Sequence, residues 1–373
     1  MQNRYAMVMV INEMDFPHGT ETLAALVMEE AVRRGWRVDL FSACYHPGRS
    51  AWRTFLDHAG VRVHQPGFWF LTGRLAPHYW LAWRLWWFVR RHRPTLVWSP
   101  DNAQMTCAAL AIMPVDAPPF FVHDPGEASA RTPHYHPLWF QVCARISGLS
   151  VHGRRQSLGA ADHYRLSCPV RPLWPASAPP LRMPLPARQQ GTLRFGQFGR
   201  LYSMKGIPFV IGAFAQVIEA GHDAELHFFG DGPEACSARE LVDSLGLAAR
   251  VSFHGGYQRQ EMDDLVESID VGLLSSIFEG FGLVMLELMS RGRPVIATDV
   301  GSSREVLEQL GGGWVVRRAD TWDLARAMIH CCQHPHTVPE TGRVARRVWE
   351  NHFTPARLFD RLLQFWRDFG VPV

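Results

Sequence analysis

Lysine is all but missing from this chain. Of 38 basic side chains in 373 residues, 37 are arginine and Lys205 is the single lysine. A GC-rich coding bias accounts for the replacement, so the survivor is informative only if its surroundings demand an ammonium group. Net charge is also scarce: +3 is too small to indicate a nucleic-acid partner from charge alone. The 7 cysteines form an odd, scattered set without a CxxC pair, which reads as reduced thiols in a cytosolic protein. No apolar run reaches the roughly 18–20 residues that cross a bilayer. The stretch AMVMVI at 6–11 is too short for a signal-peptide core and has no cleavage site after it. A soluble, cytoplasmic chain is the expectation, with contact at the membrane surface left open.

What is present describes a globular protein. Apolar residues make up 47% and charged residues 20%, and the length suits two domains. Strand and helix patterns alternate from YAMVMVIN at residue 5, through TLAALVMEEAVRRG, to WRVDLFSA, which is a βαβ unit of a parallel sheet. Further strands are expected at VRVHQ, PTLVWSP, PPFFVHD and GLSVHG. Seven prolines in residues 169–188 then preclude a continuous helix or central strand and predict a stiff extended linker. Beyond it the alternation restarts at LRFGQFG and runs to RPVIATD. The expected α/β architecture is therefore two Rossmann-like doubly wound domains facing a central cleft. The boundaries are 1–170 for the first, 171–190 for the linker and 191–350 for the second. A terminal helix in 351–373 packs back on the first domain.

Three loops at strand ends of the second half carry unusual chemistry. In GRLYSMKG, Gly199 lets the chain turn, Arg200 offers a planar fork and Lys205 a point charge, a pair that can clamp a diphosphate. In GDGP, 230–233, two glycines around Asp231 make a tight turn that lets a ligand approach the backbone. In EGFGLVMLELMSRG a helix is expected to start near Gly282, where free N–H groups and the helix dipole favour an anion. Glu279 precedes that start and Glu287 lies one to two turns inside the helix. A carboxylate accepts two hydrogen bonds and suits a vicinal diol, so the two carboxylates can each hold a sugar ring. Cations, helix start and diol acceptors together describe a nucleotide-sugar pocket.

These three motifs closely resemble the signature of retaining GT-B glycosyltransferases of family four, the group 1 glycosyl transferases, through nearly all of residues 193–310. The first half is similar only around PHGTETLAALVMEEAVRRGWRV. The resemblance implies that Arg200 and Lys205 bind the donor diphosphate and stabilise the leaving group. It gives the ribose hydroxyls to Glu287 and a hydroxyl of the transferred sugar to Glu279. Gly280, Phe281, Gly282 and Leu283 border the donor, with backbone amides from Phe281 and Gly282. Gly19 brings the first domain's loop to the phosphates, and His123 borders the reacting sugar. The resemblance further implies no resident cofactor and no DxD-bound metal. No DxD stands in the sequence, so the helix start and the two cations meet the leaving-group charge. It implies retention of configuration, with the acceptor attacking on the face the nucleotide leaves. The sequence departs from the family at His18, where a glycine is usual, at Ser302 and Ser303, and at Val284.

Other features read in two ways. His123 fits either the reacting site or a satisfied strand-end histidine, and its neighbour Asp124 reads as a loop cap. The cluster HCCQHPH, 330–336, is better described as a helix end broken by Pro335 than as a metal site. In PHYWLAWRLWWFVRRHR, 77–93, Leu81, Leu85, Phe88 and Val89 make one apolar face. Trp80, Trp83 and Trp87 fall opposite, interleaved with Arg84, Arg90 and Arg91. Such a face suits an anionic membrane or a lipid-linked acceptor, and otherwise packs under a neighbouring segment.

The leading expectation is transfer from a UDP-sugar, with guanosine open as the base, in bacterial surface-glycan synthesis. The acceptor is a carbohydrate or lipid-linked glycan at the inner face of the cytoplasmic membrane. A small soluble acceptor such as an aminocyclitol or phosphosugar, and a non-catalytic scaffold subunit, remain the alternatives. No nucleic-acid partner is expected.

Overall fold

The computed structural model describes residues 5–15, 19–46, 50, 52–65, 76–114, 116–125, 138–164, 166, 168–182 and 191–373. The chain divides into two units, Met1–Ala176 with Pro355–Val373, and Ser177–Thr354.

In the first unit the described elements run β1 (Ala6–Glu13), α1 (Gly19–Arg33), β2 (Arg37–Cys44), α2 (Arg53–His58), β3 (Arg62–His64), α3 (Ala76–His92) and β4 (Leu96–Ser99). They continue with α4 (Gln104–Ile112), β5 (Phe120–Asp124), α5 (Trp139–Val142), β6 (Gly148–Val151), α6 (Arg154–Tyr164) and β7 (Val170–Pro172). The strands form one sheet in the order β3-β2-β1-β4-β5-β6-β7, and every pairing in it is parallel. The five inner positions of β1 are fully buried, as expected of a central strand covered on both faces.

The second unit comprises β8 (Leu193–Phe198), α7 (Ile207–Glu219), β9 (Ala224–Phe229), α8 (Ala235–Ser244), β10 (Val251–Phe253), α9 (Met262–Glu267) and β11 (Val271–Leu274). After these come α10 (Leu283–Ser290), β12 (Val295–Thr298), α11 (Ser303–Leu307), β13 (Gly313–Val316), α12 (Thr321–Gln333) and α13 (Thr337–His352). Its parallel sheet has the order β10-β9-β8-β11-β12-β13. The order reverses beside β8, so the loops after β8 and β11 flank the switch point where α/β sheets bind ligands.

The last helix, α14 (Pro355–Asp368), belongs to the first unit. Leu358, Phe359, Leu362, Phe365 and Trp366 are its buried face. The Trp36 ring meets Phe359 edge-on at 5.7 Å, and Phe121 meets Phe365 at 5.3 Å. Gly148 has no room for a side chain, since a Cβ there would stand 2.8 Å from the Phe369 ring.

Two elements differ from the sequence reading. Part of the proline-rich stretch 171–190 is not linker: Val170–Pro172 pairs with β6, and Leu173 and Ala176 are buried in the first unit. Proline is tolerated there because β7 is an edge strand, where a missing N–H costs no ladder bond. Strand β13, which the sequence reading did not list, begins at Gly313 directly after Gly311 and Gly312. Gly313 lies against β12, where a Cβ would fall 2.0 Å from the Val295 carbonyl oxygen. His18 and residues 183–190 lie outside the described residues.

Candidate active site

The β8 strand ends in Gly199, with φ +113°, and the chain turns through 200–202 into a short helical turn, Ser203–Lys205. Gly206 closes that turn in the left-handed region and begins α7. Three contacts hold the turn, one from β8 and two from the loop after β11. Gln197 Nε2 and Ser275 Oγ both donate to the Lys205 carbonyl, at 3.0 and 2.7 Å. The Ile277 amide donates to the Met204 carbonyl at 2.8 Å. Gln197 and Ser275 are buried, so Lys205 stands on a rigid base.

From that base Lys205 Nζ reaches Glu279 Oε2 at 2.5 Å, an ion pair in which both side chains remain partly exposed. Ser276 Oγ donates to the same carboxylate oxygen at 3.2 Å. The sequence assigned Lys205 and Glu279 to different parts of a donor; the structure brings them into direct contact. Arg200 is exposed, its guanidinium 4.9 Å above the Tyr202 ring, and it stays on the same loop without joining that pair in any contact seen.

The helix α10 starts where the sequence places it. Gly282 caps it with φ +85° and ψ +67°, a left-handed conformation that glycine adopts without strain. Gly280 precedes this cap and Leu283 is its first helical residue, while Phe281 is buried with its ring 6.0 Å from Phe353. Glu287 lies on the second turn of α10. Burial raises its carboxyl pKa above the ordinary range, and the Arg259 and Arg291 charges pull it back only in part. Tyr257 faces the same carboxylate, and its phenol is pushed up by burial and by the Glu287 charge. Arg291 is itself held by Asp263, at 2.6 Å, and by the Glu287 carbonyl at 3.0 Å. Tyr257 and Arg259 went unnoticed in the sequence because no motif contains them; Arg291 stands inside EGFGLVMLELMSRG, one helical turn after Glu287, and was given no role there.

The GDGP loop needs a correction. Its glycines admit protein backbone: a Cβ at Gly230 would lie 1.9 Å from the Gly199 oxygen, and one at Gly232 would lie 2.4 Å from the Leu201 oxygen. Leu201 N donates to the Asp231 carbonyl at 2.9 Å and Glu234 N to the Leu201 carbonyl at 3.0 Å. The loop thus braces the turn that carries Arg200 and Lys205.

In the first unit, Gly19 is exposed at the start of α1. His123 is fully buried near the end of β5; its Nδ1 lies 3.0 Å from Ser150 Oγ and its Nε2 3.1 Å from His152 Nδ1. Asp124 is not a loop cap: it is buried in β5 and accepts a 2.5 Å hydrogen bond from the Tyr164 hydroxyl. On α3, Trp83 and Trp87 are exposed, but Trp80 is half-buried against the core beside Phe88, which corrects its assignment to the outer face. Arg84 lies over the Trp80 ring at 5.0 Å, and Arg91 is exposed. Among the described residues no group of three His, Cys, Asp or Glu side chains is placed to hold a metal ion. Among them, too, no helix is long and apolar enough to cross a membrane.

Residues 192–334 match the model of the family described as glycosyl transferases group 1. Solved structures match nearly the whole chain. Anabaena HepE in complex with UDP and glucose is similar with a TM-score of 0.75 at 18% identity, over 97% of this chain and 99% of that one. Sucrose-phosphate synthase from Thermosynechococcus elongatus is similar at 0.76 and 16%, over 98% and 99%. The chain therefore has the GT-B fold. Among curated proteins, N-acetyl-alpha-D-glucosaminyl L-malate synthase of Bacillus anthracis is 32% identical over 165 residues, 44% of this chain and 42% of that protein. Alpha-D-kanosaminyltransferase of Streptomyces kanamyceticus is 26% identical over 173 residues, 46% and 45%. The chain spans less than half the length of these curated relatives.

Proposed function

We propose that the protein is a retaining, nucleotide-sugar-dependent glycosyltransferase. It moves a sugar from a nucleoside-diphosphate donor, a UDP-sugar first among the candidates, to a hydroxyl of a carbohydrate or lipid-linked acceptor. The reading includes a role in bacterial surface-glycan synthesis, in the cytoplasm at the inner membrane face. It needs neither a resident cofactor nor a metal. The observation that carries it is the Lys205–Glu279 pair held beside the Gly282 cap of α10. An ammonium, a carboxylate and the first-turn amides of a helix stand together where a sugar diphosphate presents two anionic phosphates and a ring of hydroxyls.

In the proposed reaction the acceptor oxygen bonds to the anomeric carbon as the bond to the diphosphate breaks, and the acceptor's hydroxyl proton passes to the departing diphosphate oxygen on the same face. Arg200, Lys205 and the α10 amides of Phe281, Gly282 and Leu283 meet the charge that develops on the leaving oxygen. Glu279 turns from Lys205 to a hydroxyl of the transferred sugar, and Glu287 accepts from the ribose diol. Gly199 and Gly280 give the backbone its close approach. Gly19 and His123 of the first unit enter the same proposal, Gly19 toward the donor phosphates and His123 toward the reacting sugar. The group 1 match over 192–334 supports the donor half of this reading.

The test is transfer itself. The protein is incubated with UDP- and GDP-sugars and with lipid-linked, aminocyclitol and phosphosugar acceptors. Diphosphate release is followed, and the product's anomeric coupling is read by NMR. An unchanged anomeric configuration supports the proposal. An inverted product, or no transfer from any donor, contradicts it.

A further inference from the structure

Among the described residues, helix α3 has a face that the fold of its own unit does not use. Leu81, Leu85 and Val89 are buried in the core, together with Ala82. On the other side Trp83 and Trp87, one turn apart, are each 53% exposed, and Tyr79 is 38% exposed. Packing onto the sheet explains the first stripe and leaves the second without a structural purpose. Leaving two adjacent indoles exposed to water is unfavourable unless another apolar phase receives them.

The charges around these rings all have one sign. From Ala76 to His92 the helix contains no acidic residue, and its last turn is Arg90, Arg91 and His92, followed by Arg93. Arg84 and Arg91 lie two turns apart on the flank of the tryptophan stripe, about 10 Å along the axis. Arg84 reaches the Gln65 carbonyl at 3.2 Å and covers Trp80, and Arg90 lies 5.0 Å above the Trp86 ring. Between α3 and the β2–β3 edge opens a cavity of about 230 Å³, lined among others by His64, Trp83, Arg84, Trp87, Arg91 and His92. The carboxylate behind it, Asp39, is buried and already met by His64 at 3.1 Å and Arg37 at 3.4 Å.

We infer that this face of α3 docks on an anionic lipid bilayer, with Trp83 and Trp87 in the headgroup layer and lipid phosphate received between Arg84 and Arg91. Indole prefers the boundary between headgroups and acyl chains, and guanidinium pairs with phosphate while its stem lies along apolar surface. A nucleic acid would satisfy the cations without offering an apolar phase to the indoles, and a folded protein partner would bind them without any dependence on anionic lipid, which the test below reads. The inference rests on the membrane placement proposed above, and it stands whether or not sugar transfer is observed.

Co-sedimentation with vesicles tests it, using the full chain with phosphatidylcholine alone and with phosphatidylcholine mixed with phosphatidylglycerol. Binding to the mixed vesicles only, released by high salt, is the expected result. Arg84→Ala and Arg91→Ala should each lower partitioning about five-fold, and Trp83→Ala with Trp87→Ala on the order of tenfold or more. Trp322, which is 56% exposed on α12 with Arg326 4.7 Å above its ring, serves as the control. Trp322→Ala should leave vesicle binding unchanged. Melting temperatures and UDP binding of each variant, measured alongside, separate loss of this surface from misfolding or from a failed donor site. No binding to either vesicle, equal binding to both, or an equal loss from Trp322→Ala overturns the inference.

Discussion

Lys205 Nζ lies 2.5 Å from Glu279 Oε2, across 74 positions of sequence. The single lysine of the chain is therefore spoken for in the free protein, and a donor has to share or displace its partner. Lys205→Ala is expected to lower turnover on the order of 10²–10³-fold, the range for removing one preorganised group that meets leaving-group charge. Lys205→Arg should not restore it, because a planar guanidinium on a longer stem does not place its charge where the compact ammonium stands. Steady-state kinetics at saturating donor reads both.

Glu279→Gln separates the two halves of the donor. With Lys205 released, affinity for a bare nucleoside diphosphate should rise or hold, while the extra affinity contributed by the sugar is lost. Calorimetric titration with the diphosphate and with the intact nucleotide sugar makes the comparison. A parallel loss for both ligands would show that Glu279 does not contact the sugar.

Glu287 sets a pH dependence. Its carboxyl is raised by burial, so it takes up its proton at a higher pH than an ordinary glutamate. Only the ionised form accepts from both hydroxyls of a diol. Donor KM should thus rise as pH falls through the raised pKa, and Glu287→Gln should raise KM above that transition and flatten the profile. A wild-type KM that stays flat across mildly acid pH would remove the ribose role.

Glu21 on α1 governs stability instead. Burial, with Asp101 and Glu13 adding to it, raises its carboxyl from 4.5 to about 7. Between those two values the folded chain holds a proton that the unfolded chain has released, so stability falls as pH rises from about 4.5 to about 7. The full shift corresponds to about 3 kcal/mol as an upper bound. Glu21→Gln is expected to raise the melting temperature at pH 8 and to change it little at pH 5. Equal shifts at the two pH values would refute this account.

Gly232→Ala tests the bracing of the lysine turn. Its Cβ would meet the Leu201 oxygen at 2.4 Å, so the 199–201 backbone has to move. Destabilisation of about 1–3 kcal/mol is expected, with weaker diphosphate binding, since Arg200 and Lys205 ride on that turn. Chemical denaturation and UDP titration check both.

How much of this was legible follows the range of each interaction. The buried strands and the α10 start were readable because hydrophobic runs and a glycine before a helix are local signals. Edge strand β7 hid behind its prolines, and β13 behind Gly311, Gly312 and Gly313, because turn residues serve equally where strands crowd together. The two glycines of GDGP were read as ligand space, although what they admit is the Gly199–Leu201 backbone. The Lys205–Glu279 contact and the approach of Tyr257 and Arg259 to Glu287 depend on which loops the sheet order brings together. No spacing in the sequence encodes that order. Trp80 was misassigned because a helical wheel gives direction but not the height of the neighbouring layer.

The most direct measurement is a thermal-shift series with UDP, GDP, ADP, TDP and CMP, without added metal. Stabilisation by one nucleoside diphosphate, lost in Lys205→Ala, is the predicted result and names the base. No shift with any of them would contradict a donor site at Lys205 and Glu279, and would leave a GT-B scaffold without donor chemistry.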